Sequence, residues 1–189
     1  MRFLIGRQNM RVATLVLFIA ASAVAEEWKL GTTQLQGSAG INIAEDRGTG
    51  VEPSFGGGVA VGMGPWLAMA GSYGYNRFVS IDQILYGVRV AGLGVMHEAL
   101  VGLRTNISNP SPATPHFFTG AGMVHAVASG GAQGVKVSIS ETKVAYGVGG
   151  GVDIGIGKRV AVLSDIRLIS PPDLNWCARF STGLAIRFN

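Results

Sequence analysis

Apolar and polar positions alternate with a period of two along much of the chain, most regularly at residues 176–188. The even positions there are Trp176, Ala178, Phe180, Thr182, Leu184, Ile186 and Phe188. The odd ones are Cys177, Arg179, Ser181, Gly183, Ala185 and Arg187. Successive side chains of a strand point to opposite faces, so the pattern predicts a strand with one apolar face and one small or charged face. Its length suits a tilted bilayer crossing. A helix over the same residues would scatter Arg179 and Arg187 among Phe180, Leu184 and Phe188 without a stripe.

The same template repeats upstream. Residues 159–169 set Val160, Val162, Ile166 and Leu168 against Arg159, Asp165 and Arg167. Residues 142–155 set Val144, Tyr146, Val148, Val152 and Ile154 against Lys143, three glycines and Asp153. Residues 33–44 oppose Leu35, Ile41 and Ile43 to Gln34, Gln36, Ser38 and Asn42. Residues 54–63 align Phe55, Val59, Val61 and Met63, and residues 66–77 align Leu67, Met69, Tyr73 and Tyr75. Residues 95–105 set Val95, Ala99, Val101 and Leu103 against Glu98 and Arg104. Residues 115–127 make an eighth strand whose two faces are almost equally apolar, which leaves its orientation open.

Turn residues at Gly64-Pro65, Asn109-Pro110 and Gly155-Ile156-Gly157-Lys158 close three hairpins. Longer connections are expected at 45–53, 78–94 and 128–141, with Tyr86, Val88 and Val90 either extending the fourth strand or forming an extra piece in a loop. Eight strands, with short turns at one end and long loops at the other, are what a single-chain bacterial membrane barrel requires. The predicted fold is therefore all-β, an eight-stranded antiparallel up-and-down transmembrane β-barrel.

Composition decides which way the faces point. The chain has 29 glycines, 14% charged residues and a mean hydropathy of +0.36. A soluble barrel with its apolar face inward would carry many Lys and Glu outside. Here the second face carries small and polar residues with Glu98, Arg104, Lys143, Asp153, Arg159, Asp165, Arg167, Arg179 and Arg187. Such residues suit a narrow lumen filled by side chains, where unpaired charge is costly. A paired charge network is expected there, with Glu98 and Glu141 available to the cations of the last strands. Trp66, Tyr73, Tyr75, Phe117, Trp176 and Phe188 fit aromatic girdles at the two interfaces.

The first residues read as an export signal. Arg2, Arg7 and Arg11 precede a short apolar run at 12–21, and Ala23-Val24-Ala25 gives a small-x-small cleavage site with Ala23 and Ala25 as its key residues. Glu26-Glu27 then opens the mature chain. The expected domain organisation is a secretory signal peptide at 1–25 and an outer-membrane barrel domain at 26–189. Without the leader, 12 basic residues face 11 acidic ones, so no basic stripe for nucleic acid remains. The single Cys177 allows no internal disulfide and is either an inert thiol or a link between two chains.

The chain end, Ser181-Thr182-Gly183-Leu184-Ala185-Ile186-Arg187-Phe188, resembles the C-terminal assembly signal of outer-membrane barrels at Ser181, Gly183, Ile186 and Phe188. Asn189 trails the aromatic that usually comes last. Residues 26–189 as a whole resemble the small outer-membrane β-barrel domains of the eight-stranded OmpA and OmpX type. The resemblance implies a place in the outer membrane of a Gram-negative cell envelope, contact with outer-membrane lipid, and insertion by the barrel assembly machinery. It transfers no particular activity.

Signals for catalysis are weak. A Ser nucleophile needs a His base and an orienting acid, yet His97 and Glu98 fall on opposite faces of a strand, and no His-x-Ser pair occurs. His97, His116 and His125 are read as interfacial or loop residues. The glycines match neither a phosphate loop nor a dinucleotide fingerprint. Three His and one Cys lack metal-ligand spacing. The expectation is a non-enzymatic protein without cofactor, with a structural or surface-interaction role. A narrow porin-like channel and a soluble periplasmic barrel holding a hydrophobic ligand are the alternatives.

Overall fold

The computed structural model describes residues 28–44, 51–78, 82–85, 88–107, 111–132, 135–170 and 176–188. Among these, nine strands run in chain order: β1 (Thr33–Ala44), β2 (Val51–Gly62), β3 (Leu67–Phe78), β4 (Asp82–Leu85), β5 (Val88–Asn106), β6 (Ala113–Ala132), β7 (Val135–Gly155), β8 (Val160–Ser170) and β9 (Cys177–Phe188). The sheet order is β3-β2-β1-β9-β8-β7-β6-β5-β4, every pairing is antiparallel, and β3 also pairs with β5. That last ladder, from Leu67↔Thr105 to Phe78↔Gly94, closes eight strands into a ring. The short β4 lies outside the ring, bonded to the start of β5.

The seam between the ends of the chain is as regular as any other ladder. β1 and β9 pair from Thr33↔Phe188 to Ala44↔Cys177. This end of the barrel, with the connections 63–66, 107–112 and 156–159, is the turn end. The opposite end carries the connections that follow β1, β3, β6 and β8.

Alternation puts the apolar face outside. In β8 and β9, buried and exposed residues follow one another almost without a break. Val101, Phe117, Tyr146, Leu184 and Ile186 are among the exposed large hydrophobics, while Gln34, Asn42, Asn76, Glu98 and Asp153 are fully buried. A soluble barrel has the reverse arrangement, so the reading with an inward apolar face is overturned. β6 resolves its ambiguity by turning His116, Phe118 and Val124 inward and Phe117, Met123 and His125 outward. Phe118 joins an interior apolar cluster with Leu100 and Ala145, which is why both of its faces look apolar.

The eight barrel strands fall where the alternation predicts them, but two predicted loops are largely strand. β6 and β7 continue to a hairpin at Ala132↔Val135, taking up most of 128–141, and β5 begins at Val88 within 78–94. Val88 and Val90 therefore extend the fourth barrel strand as the upper part of β5, while the short β4 is made of other residues, Asp82–Leu85; Tyr86 lies outside the described residues. Gly130 and Gly131 look like loop residues in sequence. A ladder bonded on both edges needs only their backbone groups, so glycine is accommodated.

Close approach explains some of the glycine. A Cβ on Gly40 would collide with the backbone of Phe180 and Ser181, and one on Gly183 with Gly37 and Ser38. The neighbouring backbone lies too close at these two points of the β1–β9 seam to leave room for a side chain.

Candidate functional site

The lumen is the most elaborate chemical feature of the molecule, and strand order explains its contacts. In a ring of eight, strands four places apart face each other across the diameter. β5 and β9 stand in that relation, and Arg179 Nη1 on β9 lies 2.5 Å from Glu98 Oε1 on β5. β8 and β3 stand in it too, and Arg167 Nη1 donates to Ser72 Oγ at 2.6 Å. Both contacts cross the full width of the barrel. Asn76 Nδ2 donates to the second Glu98 oxygen at 3.2 Å. Directly beside Glu98, on the neighbouring β3, is Gly74, where a Cβ would overlap both the Arg179 guanidinium and the Glu98 carboxylate.

A second cluster lies nearer the turn end, around Asp153 on β7. Its Oδ2 accepts from Arg104 Nη2 at 2.6 Å, Arg187 Nη2 at 3.1 Å and Gln34 Nε2 at 3.3 Å. Arg187 Nε also donates to Gln34 Oε1 at 3.0 Å, and Arg104 Nε to Asn106 Oδ1 at 2.8 Å. Between the two clusters Arg167 Nη2 donates to Asp165 Oδ2 at 3.0 Å, and its guanidinium sits 4.3 Å from the centre of the Phe118 ring. His116 connects the levels, with Nδ1 3.4 Å from Asp153 and Nε2 3.9 Å from Asp165.

Trp28 closes the turn end. Its side chain is buried, with the guanidinium groups of Arg104 and Arg187 5.4 Å and 5.6 Å from its ring centre. The chain reaches this position through a turn with Gly31 at φ 84, where Gly31 N donates to Gly62 O at 2.9 Å. A left-handed φ is costly for a residue with a Cβ, so glycine fixes the path that brings Trp28 under the charged cluster.

Of the nine charges assigned to the lumen by sequence, the structure gathers Glu98, Arg104, Asp153, Asp165, Arg167, Arg179 and Arg187. Arg159 does not join them: it is exposed in the 156–159 connection, one residue before β8, where alternation no longer governs direction. Lys143 is half-buried toward the loop end and pairs with Glu141 at 3.2 Å. Glu141 is thereby committed to Lys143 and not to the cations of the last strands. His116, read as interfacial or loop, is a lumen residue, because its strand could not be oriented. Trp28 carries no period-two signal, as it precedes the first strand. Cys177 is buried on the inward face of β9.

In the C-terminal strand, Ile186 and Phe188 point outward and Ser181 and Gly183 inward. Ala23 and Ala25 lie outside the described residues. Among the described residues no group of three or more His, Cys, Asp or Glu is placed to hold a metal ion, and no helix is long and apolar enough to cross a membrane.

An apolar exterior about a charged, crosslinked lumen is a membrane barrel's arrangement. The family model described as the outer membrane protein beta-barrel domain matches residues 12–188. The chain belongs to the outer-membrane β-barrel family. The match starts inside the stretch read as a leader and runs to the last residue of β9. Among solved structures, the attachment invasion locus protein Ail of Yersinia pestis matches with a TM-score of 0.64 at 15% identity, over 84% of this chain and 99% of that one. Neisserial surface protein A matches with a TM-score of 0.58 at 17% identity, over 84% and 99%. OprG from Pseudomonas aeruginosa matches with a TM-score of 0.55 at 11% identity, over 87% and 99%. These likenesses establish the fold. No curated protein sequence matches the chain. The chain is thus a protein of the outer membrane, with the fold of small eight-stranded barrels.

Proposed function

We propose that this outer-membrane barrel is a non-enzymatic protein that acts at the cell surface through the raised part of its wall. Strand length carries this reading. β5, β6 and β7 have 19, 20 and 21 residues, whereas β1, β2, β3 and β9 have 12 each and β8 has 11. About 9–11 residues suffice to cross the bilayer. The excess of three neighbouring strands, edged by β4, makes a sheet that stands above the membrane on one side of the barrel. A backbone platform of this kind presents binding residues more rigidly than a loop does.

Ail has been solved in complex with the heparin analogue sucrose octasulfate, and a sulfated saccharide is accordingly the first probe. Cells displaying the protein are expected to bind immobilised heparin. Replacement of residues 130–137 by a two-residue turn is expected to abolish binding while leaving a barrel that migrates differently boiled and unboiled. Equal binding by both chains overturns the role of the raised sheet.

The export and assembly readings belong to the same proposal. Cleavage after Ala25 predicts Glu26 as the first residue of protein recovered from outer membranes. The barrel assembly machinery is the proposed partner of Ser181, Gly183, Ile186 and Phe188.

The channel reading has a specific obstacle in the two contacts across the diameter. Refolded protein in planar bilayers is expected to conduct no steady ion current. A stable open level would make the porin-like alternative the better reading.

A further inference from the structure

The outer face carries a row of residues that the apolar band does not require. Register places Phe55, Tyr75, His97, His125 and Thr142 directly beside one another on β2, β3, β5, β6 and β7. All five point outward. His97 lies nine residues above Asn106, the turn-end residue of β5. At about 3.3 Å per residue and a tilt of about 40°, that is roughly 20–25 Å, the height of a typical apolar band. On β7 the outward residues change at this level from Val148, Tyr146 and Val144 to Thr142 and Ser140. Tilted strands carry a register row obliquely upward, and the same count puts His125, twelve residues from Ala113 at the turn end of β6, at about 30 Å. The two histidines therefore straddle the loop-end edge of the membrane core, where lipid headgroups begin.

The two rings are held in place. Tyr73 Oη lies 2.6 Å from His97 Nδ1, and Thr142 Oγ1 lies 2.7 Å from His125 Nδ1. Tyr75 packs edge-on against His97, with ring centres 5.4 Å apart. In the Tyr73–His97 contact the phenol is the stronger acid and donates, so a neutral ring carries its proton on Nε2. An imidazolium also has an N–H at Nε2. No protein group among the described residues bonds Nε2 of either ring, so His97 offers an N–H donor there in both charge states, and His125 offers one when it is charged. Two histidines directly opposite each other repel when charged, and an anion between them removes the repulsion. Arg77, exposed on the same face, is one diagonal step from His97, on the residue that pairs with Val95. The neighbouring carboxylates do not compete: Glu98 faces the lumen on Arg179, and Glu141 is held by Lys143.

We propose that His97, His125 and Arg77 form an outward-facing site for the phosphate of a membrane lipid headgroup. The Tyr73 hydroxyl and the Thr142 hydroxyl orient the two rings. Location argues for a lipid over free phosphate, because a headgroup whose acyl chains run down the apolar wall below is already at the right height.

The test uses the full chain in nanodiscs of phosphatidylcholine with a minor fraction of phosphatidic acid. Native mass spectrometry after release from the disc counts retained phosphatidic acid. At least fivefold more is expected on the wild type than on His97→Gln/His125→Gln, with Arg77→Gln intermediate; equal retention overturns the site. Each variant is checked first by its shift in migration on heating. Should a variant fail to fold, the ring nitrogen resonances of the wild type decide: they are expected to move when phosphatidic acid is added to the disc. No movement overturns the site. Movement with inorganic phosphate in pure phosphatidylcholine overturns the lipid source.

Discussion

Glu98 and Arg179 meet across the barrel axis, and among the described residues neither makes a second ion pair. Removing one partner leaves the other buried and unpaired, which costs about 3–5 kcal/mol. Arg179→Ala is therefore expected to lower the temperature at which the barrel unfolds in detergent, read by its migration before boiling. Glu98→Gln with Arg179→Gln is expected to lose less than the single variant, since no lone charge remains. Gly74→Ala pushes a methyl group into the same pair and is expected to cost about 1–3 kcal/mol. Its cost should shrink in the Arg179→Ala background, because the two changes act on one contact.

Trp28 offers a second measurement on single residues. Loss of a buried Trp costs about 3–5 kcal/mol in a packed interior, and Trp28→Ala is expected to fall in that range. Trp66 and Trp176 are exposed on the outer surface. Lipid with brominated chains is expected to quench Trp66 and Trp176 and leave Trp28 bright, which single-Trp variants check directly. A thiol reagent is likewise expected to label Cys177 only after heating, since its side chain is buried inside the barrel.

At the scale of the strand, legibility follows from a physical asymmetry between the two ends of the barrel. In β8 and β9 lipid contacts one face and charge crowds the other, so alternation is sharp and both strands read correctly. In β6 the lumen itself is apolar at Phe118 and Val124, and the contrast between faces vanishes. Above the membrane no lipid imposes alternation, so the upper parts of β5, β6 and β7 carried no signal and read as loops. Arg159 failed for the converse reason: it continues the alternation in sequence, but the β8 ladder begins one residue later. His116 and Trp28 were not legible as site residues, because one depends on the orientation of β6 and the other on a tertiary turn at Gly31. The seven charges that do meet in the lumen were legible, because each sits on the polar face of a clearly alternating strand.

At the scale of the whole molecule, the interior combines a charged network with an apolar cluster around Leu100 and Phe118. Contacts across the diameter occur at two levels, with the Asp153 cluster and the Trp28 ring below them. In a barrel filled in this way the ion pair that crosses the lumen ties strands on opposite sides of the ring to one another. Among the described residues the platform of β4–β7 rises on one side of the ring, and the proposed surface role places the binding face there. A partner bound there would sit beside the barrel axis and not over it.

The β1–β9 seam has one more consequence. Because it is bonded like every other ladder, the ring itself does not record which strand comes first. Residues 33 and 188 are neighbours at the turn end, so a short linker could join them and new ends could be opened within 63–66. Such a rearranged chain is expected to refold in detergent to the same heat-sensitive form. In cells, however, its last strand would be β2, and the motif from Ser181 to Phe188 would lie in mid-chain. Folding in the tube with failure to reach the outer membrane would separate two codes written in one sequence, one for the shape and one for its delivery.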